Sequence, residues 1–212
     1  MIGRILLVLA HLLPFAARAE PIEKVIDNKW VTVRKIIVTQ DSPYAGLNRD
    51  HDAVLLMAGD GWLQDRSGKA TAYHFGDAIY VPKGRRIKEE LVQAGTLPVV
   101  EVVLKDRKAP HANNTGLPLA FPRKGAHNSL NNRRAAVWVY SWGPNETTSM
   151  HYHDKDIVGV FRYDGPLKST DEKGKSTVIR YQAGEVRFTP GDRSHREGLV
   201  SGRQSAILME LK

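Results

Sequence analysis

Residues 184–200 read GEVRFTPGDRSHREGLV, and they align without a gap on residues 76–92, which read GDAIYVPKGRRIKEELV. Gly, Pro, Arg, Glu, Leu and Val coincide in the two stretches, and each stretch is followed by a further apolar run that ends in Leu-Lys. Because this register holds over seventeen positions, we interpret it as an internal duplication. The chain is therefore predicted to contain two copies of one small fold.

Both copies are predicted to consist of short strands that are separated by turn residues, with almost no window of helical period. The predicted strands of the first half are 29–38, 53–57, 62–64, 71–74, 78–81 and 99–104. Those of the second half are 136–141, 150–153, 157–163, 177–181, 185–189 and 206–211. Many short strands without helices predict an all-β chain in which each half forms a sandwich or a barrel.

The segment 106–134 separates the two halves. It is rich in Pro, Asn, Gly and His and has no periodicity, which is typical of an inter-domain linker or of a long loop that lies over one barrel. We therefore expect an N-terminal domain at 20–105 and a C-terminal domain at 135–212.

The second copy carries histidines that the first copy lacks. His195 aligns with Ile87, and His151 and His153 lie two residues apart on a predicted strand. Side chains two apart on a strand point to the same face, so this pair can aim two imidazoles at one point. Three imidazoles with an open coordination position are typical of a divalent metal site. The alternative is a pair of surface histidines on a solvated strand and an unrelated His195 in a turn.

These residues resemble the second motif of the cupin superfamily. That motif runs Gly, five residues, Pro-x-Gly, two residues, His, three residues, Asn. Gly184, Pro190 and His195 keep its spacing, whereas its glycine has moved to Gly191 and Leu199 replaces the final Asn. The duplication makes the chain similar to a bicupin, which implies two tandem double-stranded β-helix (jelly-roll) barrels with the site inside a barrel.

The first cupin motif is matched in its histidines and not in its acid. His151 and His153 match the His-x-His pair of the family, but counting back from Gly165 places Val158 where the family has a ligating glutamate. Asp156, two positions earlier, could replace that glutamate if the strand carries a bulge. Otherwise Asp156 is a turn residue between two strands.

The first half keeps the framework of the motifs without their ligands. Gly76, Pro82 and Gly84 hold the spacing of the second motif, but its histidine is Ile87 and residues 45–48 contain no His-x-His pair. We therefore expect a degenerate N-terminal cupin barrel that has kept the fold and lost the metal.

The N-terminus is typical of a secretory signal peptide. Arg4 precedes a short apolar run at 5–16, and Ala17-Arg18-Ala19 supplies small residues at the positions that a signal peptidase reads. The run is too short to span a bilayer. We expect residues 1–19 to be removed after Ala19, so that the protein is exported to the periplasm or secreted without an integral membrane anchor.

Composition limits the partners and the ligands. The 212 residues carry a formal net charge of +8, but the basic residues form small groups outside any recognisable nucleic-acid module, so no nucleic-acid partner is expected. The chain has no cysteine, which excludes thiolate ligands and disulfides. Any metal must therefore be held by His, Asp, Glu or backbone groups.

We interpret the chain as an exported metalloprotein whose C-terminal barrel binds one divalent ion through His151, His153 and His195, with Asp156 as a candidate further ligand. Mn, Fe, Zn, Ni and Cu are all compatible with such a site. The expected partner is a small molecule, for which an anion is one candidate. Arg162 could pair with a substrate carboxylate if it points inward, or it could be an edge or interface residue.

The alternative is a non-catalytic cupin that binds a metal, a sugar or a small acid for structure or sensing. If the protein is an enzyme, the resemblance implies a metal-dependent dioxygenase, decarboxylase or isomerase. The missing glutamate of the first motif favours the binding protein.

Overall fold

The computed structural model describes residues 22–45, 50–85, 88–91, 95–107 and 109–212. The predicted signal peptide and Ile87, which aligns with His195, lie outside these residues, as do residues 46–48 of the stretch aligned with the His-x-His pair. The described chain consists of strands and connections, as expected for an all-β protein. None of its segments is a helix long and apolar enough to cross a membrane.

The described part of each half contains nine strands. The strands of the first half are β1 (Ile22–Asp27), β2 (Val31–Val38), β3 (Tyr44–Ala45), β4 (Asp52–Met57), β5 (Gly61–Gln64), β6 (Ala70–Tyr73), β7 (Ala78–Val81), β8 (Lys88–Leu91) and β9 (Leu97–Leu104). The strands of the second half are β10 (His127–Asn131), β11 (Ala135–Trp142), β12 (His151–His153), β13 (Ile157–Phe161), β14 (Gly165–Thr170), β15 (Ser176–Tyr181), β16 (Val186–Thr189), β17 (Arg193–Leu199) and β18 (Gln204–Leu211).

The two halves have the same topology. The first half forms a five-stranded sheet, β1-β2-β9-β4-β7, and a four-stranded sheet, β3-β8-β5-β6. The second half forms β10-β11-β18-β13-β16 and β12-β17-β14-β15. Adding nine to each strand number of the first half gives the order of the second, so the predicted duplication and tandem jelly-roll barrels are confirmed.

The two five-stranded sheets pack against each other through one apolar core. Val54 and Val102 of the first half and Val137 and Met209 of the second are 0% exposed in this cluster. Strand β13 contributes Val158 to the same core, because its even-numbered residues face the other half. Val158, which the motif count places at the spacing of the family's glutamate, therefore points away from the interior of the second barrel.

The residues of β13 that point into the second barrel are Ile157 and Phe161. They pack with Trp142, Leu167 and Leu208 in a separate buried cluster. A strand alternates its side chains between its two faces, so this strand supplies apolar groups to both cores.

Residues 109–126, which we call the crossing segment, lie over the second barrel. Tyr152 donates its backbone N–H to Pro118 and accepts one from Ala120, and Ala120 and Phe121 are buried with the interior cluster. Strand β10 follows within the stretch predicted as a linker and pairs with β11. The segment between the halves is thus part of the second barrel's wall.

Sequence patterns did not predict β1, β3, β8, β10, β14 or β17. Strand β17 reads RSHREGL, and β14 begins with Gly-Pro, so neither shows apolar alternation. Both are held by tertiary pairing, since β17 lies between β12 and β14 in the four-stranded sheet.

Val158→Ala should lower the free energy of unfolding by about 2 kcal/mol, because it removes two methyl groups from a closed apolar core. Urea unfolding measures this change. The matched control is Val178→Ala, since Val178 is 52% exposed, and it should change stability by less than about 0.5 kcal/mol. Equal, small effects at both positions would contradict the buried packing between the halves.

Candidate metal centre

Two antiparallel strands bring the predicted histidines together. In the pairing of β12 with β17, His151 lies opposite His195, and His153 lies opposite Arg193. Because His151 and His153 have the same parity on β12, both rings point to the face that His195 shares. The hydroxyl of Tyr152, between them, donates to Asp192 on the opposite face at 2.8 Å.

The three imidazoles converge on one point. Nε2 of His153 lies 3.2 Å from Nε2 of His151 and 3.0 Å from Nε2 of His195. The three side chains are only 3–5% exposed, and one ring nitrogen of each lies within 4.8 Å of the others. Metal–imidazole distances of about 2.0–2.1 Å bring two nitrogens that share an ion roughly 3 Å apart, so the group fits a metal ion.

Hydrogen bonds at the outer ring nitrogens orient two of the rings. Nδ1 of His151 lies 2.8 Å from the carbonyl oxygen of Ser149, and because a carbonyl only accepts, this Nδ1 carries the proton. Nδ1 of His195 lies 3.0 Å from the hydroxyl of Ser169. With its proton on Nδ1, His151 presents the lone pair of Nε2 to the other rings, as a metal ligand does.

Burial keeps the three rings neutral near neutral pH. Desolvation, assisted by the charge of Arg123, lowers the pKa of His151 to about 4. Desolvation and the charges of Arg193 and Arg123 lower the pKa of His195 to about 3. The pKa of His153 is also lowered, again mainly by desolvation. Neutral imidazole is the form that binds metals, so the site is prepared for an ion.

The structure does not bring Asp156 to this group. Its carboxylate accepts the backbone N–H of Gly191 at 2.8 Å and lies outside the cluster of ligand atoms. Asp156 precedes β13 with the parity of Val158, whose side chain faces away from the barrel interior. No bulge redirects it, and its prediction as a metal ligand was wrong.

Arg162 lies at the boundary between the halves. Its Nη2 is 3.3 Å from Oδ2 of Asp60, and its guanidinium stacks over the ring of Phe75 at 4.7 Å. Arg162 has the same parity as Val158, and that face points to the first half and not to the cavity. The interface alternative therefore describes Arg162, and the substrate-binding role does not.

An acid that the sequence analysis missed stands beside the histidines. Glu197 lies two residues after His195 on β17 and thus on the same face. Its Oε1 is 3.6 Å from Nε2 of His195, and its Oε2 is 4.0 Å from Nη1 of Arg123. The spacing His-x-Glu could have revealed it, had the polar stretch after His195 been recognised as a strand.

A cavity of about 260 Å³ adjoins the histidines inside the barrel. The polar residues of its wall include His153, His195, Ser169, Arg123, Arg193 and Glu197. The apolar residues include Trp142, Ile157, Phe161 and Leu208. A more open groove of about 600 Å³ lies between the crossing segment and residues 146–149 and reaches His151.

The first half has a different polar group in its interior. Glu101 on β9 is 0% exposed, and it accepts hydrogen bonds from Arg34 at 2.7 Å and from the hydroxyl of Tyr44 at 3.0 Å. His74 lies on the surface, where its side chain is 75% exposed beside Asp60.

Comparisons with known proteins identify the fold. No family model and no curated protein sequence matches the chain. A cupin 2 conserved barrel domain protein from Leptotrichia buccalis superposes with a TM-score of 0.56 and 12% identity, over 90% of this chain and 88% of that one. The oxalate decarboxylase of Bacillus subtilis, described with Mn(II) centres, gives 0.56 and 11%, over 87% of this chain and 69% of that one. Vicilin from Solanum lycopersicum gives 0.60 and 10%, over 86% and 75%.

The metal-free protein should become less stable as the pH falls from about 6.5 to about 4. In this window the three histidines become protonated in the unfolded chain but stay neutral in the folded one. The unfolded state therefore binds more protons, and a lower pH favours unfolding. Each ring contributes up to about 1.4 kcal/mol per pH unit. Urea unfolding at a series of pH values measures the slope.

A variant with all three histidines changed to Gln should have a shallower slope over the same window, whereas the exposed control His74→Gln should match the wild type. Parallel slopes for the wild type and the triple variant would contradict neutral burial of the three rings.

Proposed function

Since the chain has the bicupin fold, we propose that it is an exported metal-binding protein that acts on a small anionic molecule. Its C-terminal barrel would hold one divalent ion through His151, His153 and His195. The convergence of three buried, neutral imidazoles beside a cavity is the observation that carries this proposal. Residues of both sheets of the second half and of the crossing segment line this cavity.

The residues around the histidines suit such an ion. Ser149 and Ser169 form hydrogen bonds with Nδ1 of His151 and His195. These bonds fix the orientation of the two rings before an ion binds. An ion bound there would supply Lewis-acid chemistry to a ligand in the cavity. Mn is the first ion to test, because the Bacillus subtilis oxalate decarboxylase has Mn(II) centres, and Fe, Zn, Ni and Cu also accept imidazole ligands.

Glu197 is the residue of the chain that we assign to proton transfer. Its side chain is 14% exposed, and its Oε1 lies 3.6 Å from the inward nitrogen of His195. A carboxylate so placed can accept a proton from a ligand in the cavity and return it, which is general acid–base catalysis. It would stand in for the glutamate of the first cupin motif, from a different strand.

A non-catalytic binding protein is the second candidate function. The observation that favours it is the apolar inner face of β13, where Ile157, Gly159 and Phe161 line the cavity in place of an acid. Glu197 separates the two functions: catalysis requires its carboxylate, whereas simple binding of metal and ligand does not.

The protein purified without a histidine tag should carry about one equivalent of metal per chain. His195→Ala should lose most of it, with an affinity loss of at least about 100-fold, because one of three ligands is removed. Elemental analysis and metal titration measure both quantities. His74→Ala is the matched control and should keep the wild-type content, since His74 is exposed in the other half. Full metal retention by His195→Ala would refute the site.

Export can be tested separately from metal binding. When the whole chain is produced in a bacterial host, the exported protein should lack residues 1–19, because Ala17 and Ala19 present small side chains to the signal peptidase. Intact-mass measurement of the periplasmic fraction checks this, and Ala19→Arg should block the cleavage. Accumulation of the uncleaved wild-type chain in the cytoplasm would contradict export.

A further inference from the structure

The wall of the metal-side cavity has more positive than negative charge. Arg123, Arg193 and Arg187 line it, whereas Glu197 is the carboxylate among its lining residues. Arg187 is already bonded to Glu185. Among the described lining residues, Glu197 is therefore the carboxylate that faces the guanidiniums of Arg123 and Arg193. Its Oε2 is 4.0 Å from Nη1 of Arg123, which is too long for a hydrogen bond.

Arg123 has an unused hydrogen-bonding fork. Its Nε donates to the carbonyl of Ala120 at 2.9 Å, but Nη1 and Nη2 are buried without hydrogen-bond partners. The guanidinium lies over the rings of Phe121 and Tyr140, at 4.4 and 4.8 Å from their centroids. The group is thus held in place by packing, while the nitrogens that bind anions remain available.

Arg193 is the second buried guanidinium. It lies on β17, two residues before His195, so its side chain points to the same inner face. Its Nε is buried without a partner, and Nη1 is 3.4 Å from Nδ1 of His195. Burial lowers the pKa of both Arg123 and Arg193, which reflects how far the two groups are removed from water.

Buried guanidinium N–H groups without hydrogen-bond partners, such as Nη1 and Nη2 of Arg123 and Nε of Arg193, are unfavourable, because they have lost water and have not gained hydrogen bonds in return. A planar carboxylate can restore those bonds, since its two oxygens match the fork of an arginine. Arg123 lines both the inner cavity and the outer groove that reaches His151, so a ligand in either space can meet its guanidinium.

The cavity also restricts the size and shape of the ligand. Its volume of about 260 Å³ is below the range of roughly 300–1,000 Å³ that is usual for sites of drug-sized ligands. The wall formed by Trp142, Phe161 and Leu208 suits a short apolar body. These features together describe a small carboxylic acid.

We propose that Arg123 and Arg193 form a carboxylate-binding subsite beside the three histidines, and that small carboxylic acids are the ligands of the barrel. This inference rests on the proposed function, in that it identifies the class of molecule that would meet the metal. Arg193, two residues from a metal ligand, and Arg123, on the crossing segment, would position the acid and leave proton transfer to Glu197.

The test compares two ligands of the same shape and different charge, propionate and its neutral amide, propionamide. Calorimetric titration of the metal-loaded protein without residues 1–19 should show propionate binding at least about 10-fold more tightly than propionamide. Arg123→Gln and Arg193→Gln should each weaken propionate binding by about 10- to 100-fold while metal content stays at the wild-type level. The matched control Arg162→Gln should bind propionate as the wild type does, since that arginine pairs with Asp60 outside the cavity.

Arg123→Lys is a second variant that keeps the positive charge at this position and removes the paired nitrogens of the guanidinium. Its affinity for propionate should lie between those of the wild type and Arg123→Gln, which a general loss of folding would not produce. Metal content reports on the proposed function separately from the subsite. If the wild type holds no metal, the proposed function fails. The carboxylate subsite is then tested on the metal-free protein, which must still bind propionate more tightly than propionamide and must lose this preference in the Gln variants. Equal binding of the two ligands, unchanged affinity in both Gln variants, or tighter binding of inorganic phosphate would overturn the proposal.

Discussion

The central strands of the five-stranded sheets, such as β4, β13 and β18, bury both of their faces, and this constraint determines which side chains can reach the site. The odd-numbered residues of β13 point into the second barrel, and the even-numbered residues enter the core between the halves. Because both environments are apolar, the strand has no position at which an acid is easily accommodated. The histidines, Ser169, Arg193 and Glu197 come instead from β12, β14 and β17, which belong to the other sheet, and Arg123 comes from the crossing segment.

The electrostatics of the site follow from this arrangement. Burial, assisted by the guanidiniums of Arg123 and Arg193, keeps the three imidazoles neutral, and the same guanidiniums would repel an incoming metal ion. Glu197 offsets part of that positive charge at 3.6 Å from His195. An anionic ligand would offset more of it, so metal and carboxylate binding should favour each other in this cavity.

The duplication and the His-x-His spacing were sufficient to predict the fold and the convergence of His151, His153 and His195. Both depend on local register, which a sequence carries directly. The positions of the Asp156 and Arg162 side chains could not be predicted in this way. Strand parity shows which residues share a face, but it does not show whether that face packs on the barrel interior or on the other half. Glu197 and Arg123 were missed for a related reason: β17 has no apolar alternation, and the crossing segment has no period at all.

The crossing segment has a consequence for dissecting the molecule. It supplies Ala120 and Phe121 to the interior of the second barrel and Arg123 to its cavity, and β10 follows it as an edge strand of the five-stranded sheet. A fragment that begins at residue 135 would therefore lack part of its own wall. The autonomous unit, if the barrels are separated, should start near residue 109, so the connection between the two repeats belongs structurally to the second.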